Sequence, residues 1–310
     1  MMQTLALVTV LVLEISGMWS KLPAKYHNQL VAGATGTIPV ALHNSPQTPA
    51  PADIVAAYPV PASDSAPLSL SAGSAIAIDK SSSTVLYAKN PSAKRPIASI
   101  TKLVTAMVIL SDRKPDEIVT IPTLPAYPTD AETIGLVPGD QTTIGNLIGA
   151  LLVPSANDAA DALAIIDAGS IQKFSAKMNL KMSKWGISDT RFNNPSGLTD
   201  DGNYTTAASL AKIAALALTQ PTIKQTAAYT DISFTTSQGR SYNLTSTNKL
   251  LASGRFYGIK TGYTGAAGEC FVGLTRINGH EVITVVLGSD DRFGASVALA
   301  NWIQRSWQWL

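Results

Sequence analysis

The sequence predicts an α+β domain in which strands from its two ends form one antiparallel sheet and a helical insertion lies beside it. Three observations predict this. "SAIAID" (Ser74–Asp79) and "TVLYAKN" (Thr84–Asn90) are two apolar runs separated by Lys80–Ser83, the pattern of a hairpin. Far downstream, "GECFVGLTRI" and "HEVITVVLG" flank Asn278-Gly279, the preferred pair for a type I′ turn. Between the two hairpins the chain is rich in Leu, Ala and Ile with helical character.

The elements follow in order. Thr4–Leu13 has the length of a signal-peptide apolar core, and Met1–Trp19 carries a single charge, Glu14. No Lys or Arg precedes that run, and the first A-x-A-like site, Ala32-Gly33-Ala34, lies well beyond it. Residues 1–34 therefore read as a signal or a membrane anchor. An uncleaved anchor fits somewhat better, although a span needs about 20 apolar residues. Residues 35–70 hold seven prolines, with Asp53 and Asp64 as their charges. Such a stretch cannot bury a core and reads as an extended linker. Residues 71–310 read as one catalytic domain. Helices are expected over Ser99–Leu110, over Asn146–Ala168 with a break at Pro154, and over Ser170–Trp185, Thr206–Leu218 and Phe293–Trp309.

Composition excludes several function classes. The chain has 310 residues, 45% hydrophobic, with a net charge of +2. Without a basic run or a strong net charge, no nucleic-acid partner is expected. The single cysteine, Cys270, rules out an intrachain disulfide and reads as a small buried hydrophobe. His27, His43 and His280 are scattered, so no metal and no other cofactor is expected. His280 sits at a hairpin turn and the other two precede the domain, which disfavours a Ser-His-Asp hydrolase.

The chemistry is carried by "RPIASITKLVTAMVIL" (Arg95–Leu110), where Lys102 follows Ser99 by three residues at the start of an apolar stretch. On a helix the two share a face, so the amine can reach the hydroxyl. A buried, neutral lysine can act there as a base. Alone, S-x-x-K is more often a surface serine beside a snorkelling lysine. It is joined by Ser155-Ala156-Asn157, just after Pro154, and by Lys260-Thr261-Gly262, ahead of an apolar strand. S-x-x-K, S-D-N and K-T-G together are the signature of penicillin-binding proteins and class A β-lactamases. Here alanine stands in the middle of the second element. Taken singly, Ser155 could be a helix N-cap, Thr261-Gly262 a strand bulge, and "NNPSGL" (Asn193–Leu198) a turn without chemistry. Trp302, Trp307 and Trp309 read as packing residues rather than membrane contacts.

At these residues, and in "LLVPSANDAADALA", "FNNPSGLTDDGNYTTAASLAKI" and "GIKTGYTGAAGECFVGL", the chain resembles the serine D-Ala-D-Ala carboxypeptidases, the low-molecular-mass penicillin-binding proteins. The resemblance spans about Ser74–Leu310. It implies a β-lactamase/transpeptidase-like fold, with helices on both faces of the sheet and the S-x-N element in a helical insertion. It also implies a reaction: removal of the terminal D-alanine from peptidoglycan stem pentapeptides through an acyl-enzyme. By the same resemblance Ser99 is the nucleophile and Lys102 its base, and Ser155 passes a proton to the leaving D-alanine. Asn157 bonds Lys102 and the substrate amide. Lys260 serves the terminal carboxylate and keeps Lys102 neutral, and Thr261 offers a hydroxyl to that carboxylate. Gly262 lets substrate approach the strand. The N–H groups of Ser99 and Tyr263 form the oxyanion hole. The partners implied are D-Ala-D-Ala-terminated peptides, β-lactam antibiotics as covalent inhibitors, and a membrane reached through the N-terminus. The location implied is extracytoplasmic, anchored or secreted. A D,D-endopeptidase would use the same machinery. A class A β-lactamase would need a glutamate to drive deacylation, and none lies between Ser155 and Lys260.

Overall fold

The computed structural model of the protein describes residues 57–62, 66–198 and 202–310. The apolar segment over 1–34 and most of the linker over 35–70 lie outside the described residues. In chain order, β1 is Pro59–Pro61, β2 Ser74–Asp79, β3 Val85–Lys89 and β4 Arg95–Pro96. A 3₁₀ turn, Ala98–Ile100, leads into α1, Thr101–Leu110. β5 (Ile118–Thr120) and β6 (Gln141–Thr143) precede α2 (Ile144–Leu152), α3 (Asn157–Ala168) and α4 (Ile171–Lys184). β7 (Tyr204–Thr205), α5 (Ala207–Ala217), α6 (Pro221–Thr226) and the hairpin of β8 (Asp231–Thr235) and β9 (Ser241–Thr245) follow. β10 (Phe256–Thr264), β11 (Gly268–Ile277), β12 (His280–Ser289), α7 (Arg292–Ser306) and β13 (Trp307–Trp309) complete the chain.

Strands from both ends do meet in one antiparallel sheet, in the order β10-β11-β12-β2-β3. Its central strands are buried on both faces, and the side-chain period of two divides them cleanly. Ile76, Ile78, Val272, Leu274, Ile283 and Val285 face one core with α1–α5. Ala75, Ala77, Phe271, Val282 and Val286 face a second core closed by Leu299, Ala300 and Ile303 of α7. The β11–β12 turn is as the sequence predicts: Asn278 (φ 50°) and Gly279 (φ 88°) are both left-handed, and Ile277 pairs with His280. Local chemistry also sets the helix starts. Thr143, Ser170, Thr206 and Asp291 each accept a backbone N–H from the first turn of the helix that follows.

The two ends of the chain differ from expectation. The last helix stops at Ser306 because the backbone of Trp307–Trp309 has an antiparallel partner in β1. Tyr58 N–H donates to Leu310 O at 2.9 Å, Leu310 N–H returns to Tyr58 O at 3.1 Å, and Ala62 N–H reaches Ser306 O at 2.8 Å. The domain therefore begins before Ser71, inside the stretch read as linker. Leu70 is buried, and the indole of Trp302 donates to Ala66 O at 2.6 Å. The indoles of Trp307 and Trp309 donate to Leu86 O and to an Asp79 carboxylate oxygen, each at 3.0 Å. A chain beginning at Ser71 loses the β1 pairing and the burial of Leu70, together about 2–3 kcal/mol. It should unfold at least about 5 °C below a chain beginning at Ala57. Calorimetry of the two proteins checks this, and equal midpoints would return β1 to the linker.

Candidate active site

Ser99 lies in the 3₁₀ turn that opens α1, and Lys102 is the second residue of that helix. The turn is held in a tight conformation. Ala98 has φ 49°, a left-handed backbone that costs a non-glycine residue about 1 kcal/mol or more. It persists because its surroundings fix it. A Cβ on Gly197 would come within 2.0 Å of Ala98 O, so the loop carrying Ser196 can seat against the turn only with glycine there. That loop is bound to α1 at two further points. Thr105 Oγ1 donates to Pro195 O at 2.6 Å, and Asn203 Nδ2 donates to Thr101 Oγ1 at 3.2 Å.

The Lys102 side chain is fully buried, and its Nζ has three partners: Ser99 Oγ at 2.8 Å, Asn157 Oδ1 at 2.7 Å and Ser196 O at 3.0 Å. Two of these are carbonyl oxygens, which can only accept. A neutral amine has two N–H donors and one lone pair. With both donors spent on the carbonyls, the lone pair is left facing the Ser99 hydroxyl, the geometry a base needs. Burial pushes the Lys102 amine down to about 7, while the charges of Asp161, Glu132 and Asp158 pull the other way. Sequence reasoning credits that depression to Lys260, but desolvation is its cause.

Asn157 is the first residue of α3, and its own N–H donates to Glu132 O at 2.7 Å. Ser155 sits in the α2–α3 connection with φ 69°, buried at the wall of the cleft. The cap position of α3 is Ala156, not Ser155, so the N-cap explanation of Ser155 fails. Asp161, one turn along α3 from Asn157, is raised to about 6 by burial and accepts the Tyr127 hydroxyl at 2.8 Å.

β10 is an edge strand of the sheet and forms the facing wall. Lys260 is 1% exposed, and its Nζ donates to Thr261 O at 3.1 Å. Burial holds this amine well below its ordinary value, with the charges of Lys102 and Arg292 adding to the effect. The hydroxyls of Thr261 and Thr247 lie 2.6 Å apart, and both line the cleft. Gly262 serves a different neighbour from the one expected. A Cβ there would lie 2.8 Å from Ile97 O and 3.1 Å from Ile100 N. Its bare α-carbon lets β10 pack on the Ser99 turn. Tyr263 is 64% exposed at the rim.

One cleft of about 500 Å³ thus gathers Ser99, Ser155, Asn157, Thr261, Gly262 and Tyr263, with Lys102 and Lys260 buried beneath. It also contains groups the motifs do not flag. Arg292, at the start of α7, lines the cleft and donates to Gly262 O at 3.0 Å. Asp130 and Glu132 line it from a segment ahead of Ser155, outside the interval in which a glutamate is missing. Ser196, read as part of a plain turn, supplies a backbone carbonyl to Lys102. Cys270 is buried, its thiol pushed up to about 11, and takes no part. Among the described residues no cluster of metal-ligating side chains exists.

Two substitutions test this geometry. Gly262→Ala should separate β10 from the Ser99 turn and cut the rate of Ser99 acylation at least about tenfold, an overpacking penalty of about 1–3 kcal/mol. Stopped-flow acylation by a chromogenic β-lactam checks it. Asp161→Asn removes a charge that favours protonated Lys102. The acid limb of the pH–kcat/KM profile should therefore move to lower pH; a limb that stays or rises would contradict the assignment.

The comparisons with known proteins agree with this geometry. A family model described as D-alanyl-D-alanine carboxypeptidase matches residues 61–291. The D-alanyl-D-alanine carboxypeptidase DacF of Bacillus subtilis is 32% identical over 229 residues, 70% of this chain and 57% of that protein. A D-alanyl-D-alanine endopeptidase of Escherichia coli is 34% identical over 245 residues, 76% of this chain and 78% of that protein. The structure of penicillin-binding protein D2 from Listeria monocytogenes, in its cefotaxime-bound form, superposes with a TM-score of 0.67 at 30% identity. That match covers 77% of this chain and 99% of the other. The buried lysine, the serine turn and the edge strand thus sit on a shared fold, and the chain belongs to the D-alanyl-D-alanine carboxypeptidase family.

Proposed function

We propose that the protein is a serine D-Ala-D-Ala carboxypeptidase acting on peptidoglycan stem pentapeptides. The observation that carries this reading is the three-partner environment of Lys102, which aims the lone pair of a buried amine at Ser99. Neutral Lys102 takes the Ser99 proton as Oγ attacks the carbonyl of the penultimate D-alanine. The N–H groups of Ser99 and Tyr263 stabilise the oxyanion. Ser155 delivers a proton to the leaving D-alanine, and water then hydrolyses the acyl-enzyme. Lys260, Thr261 and Arg292 receive the terminal carboxylate, a role supported by the Arg292 guanidinium and the Thr261 hydroxyl on one side of the cleft and by the Lys260 amine buried beneath it. The bond from Lys102 Nζ to Asn157 Oδ1 supports a role for Asn157 in holding the base in place.

A D,D-endopeptidase is the second reading. It is favoured by the likeness to a relative of that name, of which this chain covers 78%. β-Lactams, which mimic the D-Ala-D-Ala terminus, should acylate Ser99. The substrate places the enzyme outside the cytoplasm, tethered or exported through residues 1–34, with residues 35–56 as spacer and the catalytic domain beyond.

Three outcomes test the reading. A purified chain should release one D-alanine from a pentapeptide, and kcat/KM should rise as pH passes through about 7, because only the neutral form of Lys102 accepts the proton. Lys102→Arg should lose at least about a hundredfold in acylation, since a guanidinium stays protonated. Substantial acylation by that variant would rule out the base. Benzylpenicillin should leave a mass adduct on Ser99 lasting minutes, absent in Ser99→Ala. Rapid turnover of the drug would instead mark a β-lactamase, with Glu132 or Asp130 as its deacylation base.

A further inference from the structure

Two of the three partners of Lys102 Nζ are side chains, and the third is the carbonyl of Ser196 in the loop ahead of β7. A carbonyl points where its peptide plane points. The Ser196–Gly197 peptide is trans, so its C=O faces Lys102 while its N–H, on Gly197, points the opposite way. Gly197 has φ 72°, and glycine adopts either sign of φ at little cost. Residue 197 by itself therefore does not stop this plane from turning over. Turned over, it would present an N–H to the amine. That N–H would occupy the lone pair, and the Ser99 proton would have no acceptor.

A pair of asparagines opposes this. Asn194 Oδ1 accepts the Gly197 N–H at 2.6 Å and the Ser196 N–H at 3.2 Å. Asn194 is held in turn by Asn203, a buried side chain. Asn203 Oδ1 accepts the N–H of Asn193 at 2.7 Å and of Asn194 at 3.3 Å. Its Nδ2 donates to Asn194 O at 3.0 Å, Asn194 Oδ1 at 3.3 Å and Thr101 Oγ1 at 3.2 Å. These bonds close a ring. It runs from Thr101 through Asn203, Asn194 and the Ser196–Gly197 peptide to Lys102, the residue after Thr101. Both ends stand on the first turn of α1, so the plane is fixed relative to the helix that carries the amine. The charged groups around Lys102 are Asp158 and Asp161 of α3, Glu132 in the loop ahead of β6 and Lys260 of β10. Residues 192–198 carry no charge, so this loop acts on the amine through the dipole of one peptide.

We propose that Asn194 and Asn203 are positioning residues for the base: they lock the Ser196–Gly197 peptide with its carbonyl toward Lys102 and so keep the lone pair of that amine on Ser99. The role rests on the carboxypeptidase reading, in which Lys102 is the base for Ser99. Neither asparagine lines the cleft, and neither belongs to the three motifs.

The test is stopped-flow acylation of Ser99 by a chromogenic β-lactam, measured against pH and scaled to the fraction of protein that acylates. It compares the intact protein with Asn194→Leu, Asn194→Asp and Asn203→Leu. Leucine is close to asparagine in size and offers no acceptor. Asn194→Leu should lower the plateau rate at least about tenfold, because the carbonyl is no longer aimed. Its acid limb should move to lower pH, because the ammonium form loses an acceptor. Asn194→Asp keeps both acceptor bonds, so its plateau should stay within about twofold. Its acid limb should move the other way, because the added negative charge favours the ammonium. Asn203→Leu should behave as Asn194→Leu does, and the double variant should be no slower than the slower single one, since both act on one peptide. An unchanged plateau and limb in Asn194→Leu, with only a lower melting temperature, overturns the proposal by showing a purely structural role. An equal plateau loss in Asn194→Asp overturns it too, because the acceptor is what the lock requires. If the intact protein is not acylated, the carboxypeptidase reading fails instead, and the lock is judged by NMR titration of the Lys102 amine in lysine-labelled protein. A titration moved down by Asn194→Leu and up by Asn194→Asp sustains the lock, and one that Asn194→Leu leaves unchanged ends it.

Discussion

A fully buried lysine is the constraint on which the rest of the structure depends. An ammonium taken out of water without compensation costs several kcal/mol, so the group must be bonded or discharged; here it has three partners and burial brings it down to about 7. Each partner of Lys102 comes from a different part of the chain: Ser99 from the turn before α1, Asn157 from the start of α3, Ser196 from the loop ahead of β7. Satisfying one amine thus fixes three segments, with a partner as far as 94 residues from Lys102 in sequence. Their own anchors follow from that need. Gly197 lets the loop close on the turn, Thr105 holds Pro195 O, and the Asn157 N–H holds Glu132 O.

The sheet answers a second constraint, that the Ser99 turn packs against an edge strand. β10 is at the edge because β2 and β3 close the other side and β12 occupies the centre. The helix-rich insertion between β3 and β10 carries both S-x-x-K and S-x-N, so the cleft forms where that insertion meets the edge strand. Gly262 sets the distance between them. The burial of the site is also what tunes it, since the same packing that excludes water brings Lys102 down to about 7.

Charge in the cleft is arranged on both sides of the serine, not uniformly. Arg292 lines the cleft beside β10, and Asp130 and Glu132 line it from the loop ahead of β6. The acidic wall comes from a loop and the cationic one from a strand and a helix start, so the two can vary separately.

The sequence by itself determined the family and its chemistry. Three short motifs, the Asn278-Gly279 turn and the apolar runs of β2, β11 and β12 depend on local order, and local order survives in a linear text. The helical insertion was legible for the same reason, through its Leu-, Ala- and Ile-rich runs and its break at Pro154. What only the tertiary structure decided is everything that acts through backbone or through distance. Ser196 contributes a carbonyl, which every residue has, so no residue type could announce it. Gly262 looked like room for substrate, and the structure shows it making room for the Ser99 turn. Glu132 and Arg292 join the cleft from outside the motifs, 33 residues after Ser99 and 32 after Lys260, where no spacing rule points to them. Trp307–Trp309 became a strand because Pro59–Pro61 lay alongside, since a strand needs a partner that a helix does not.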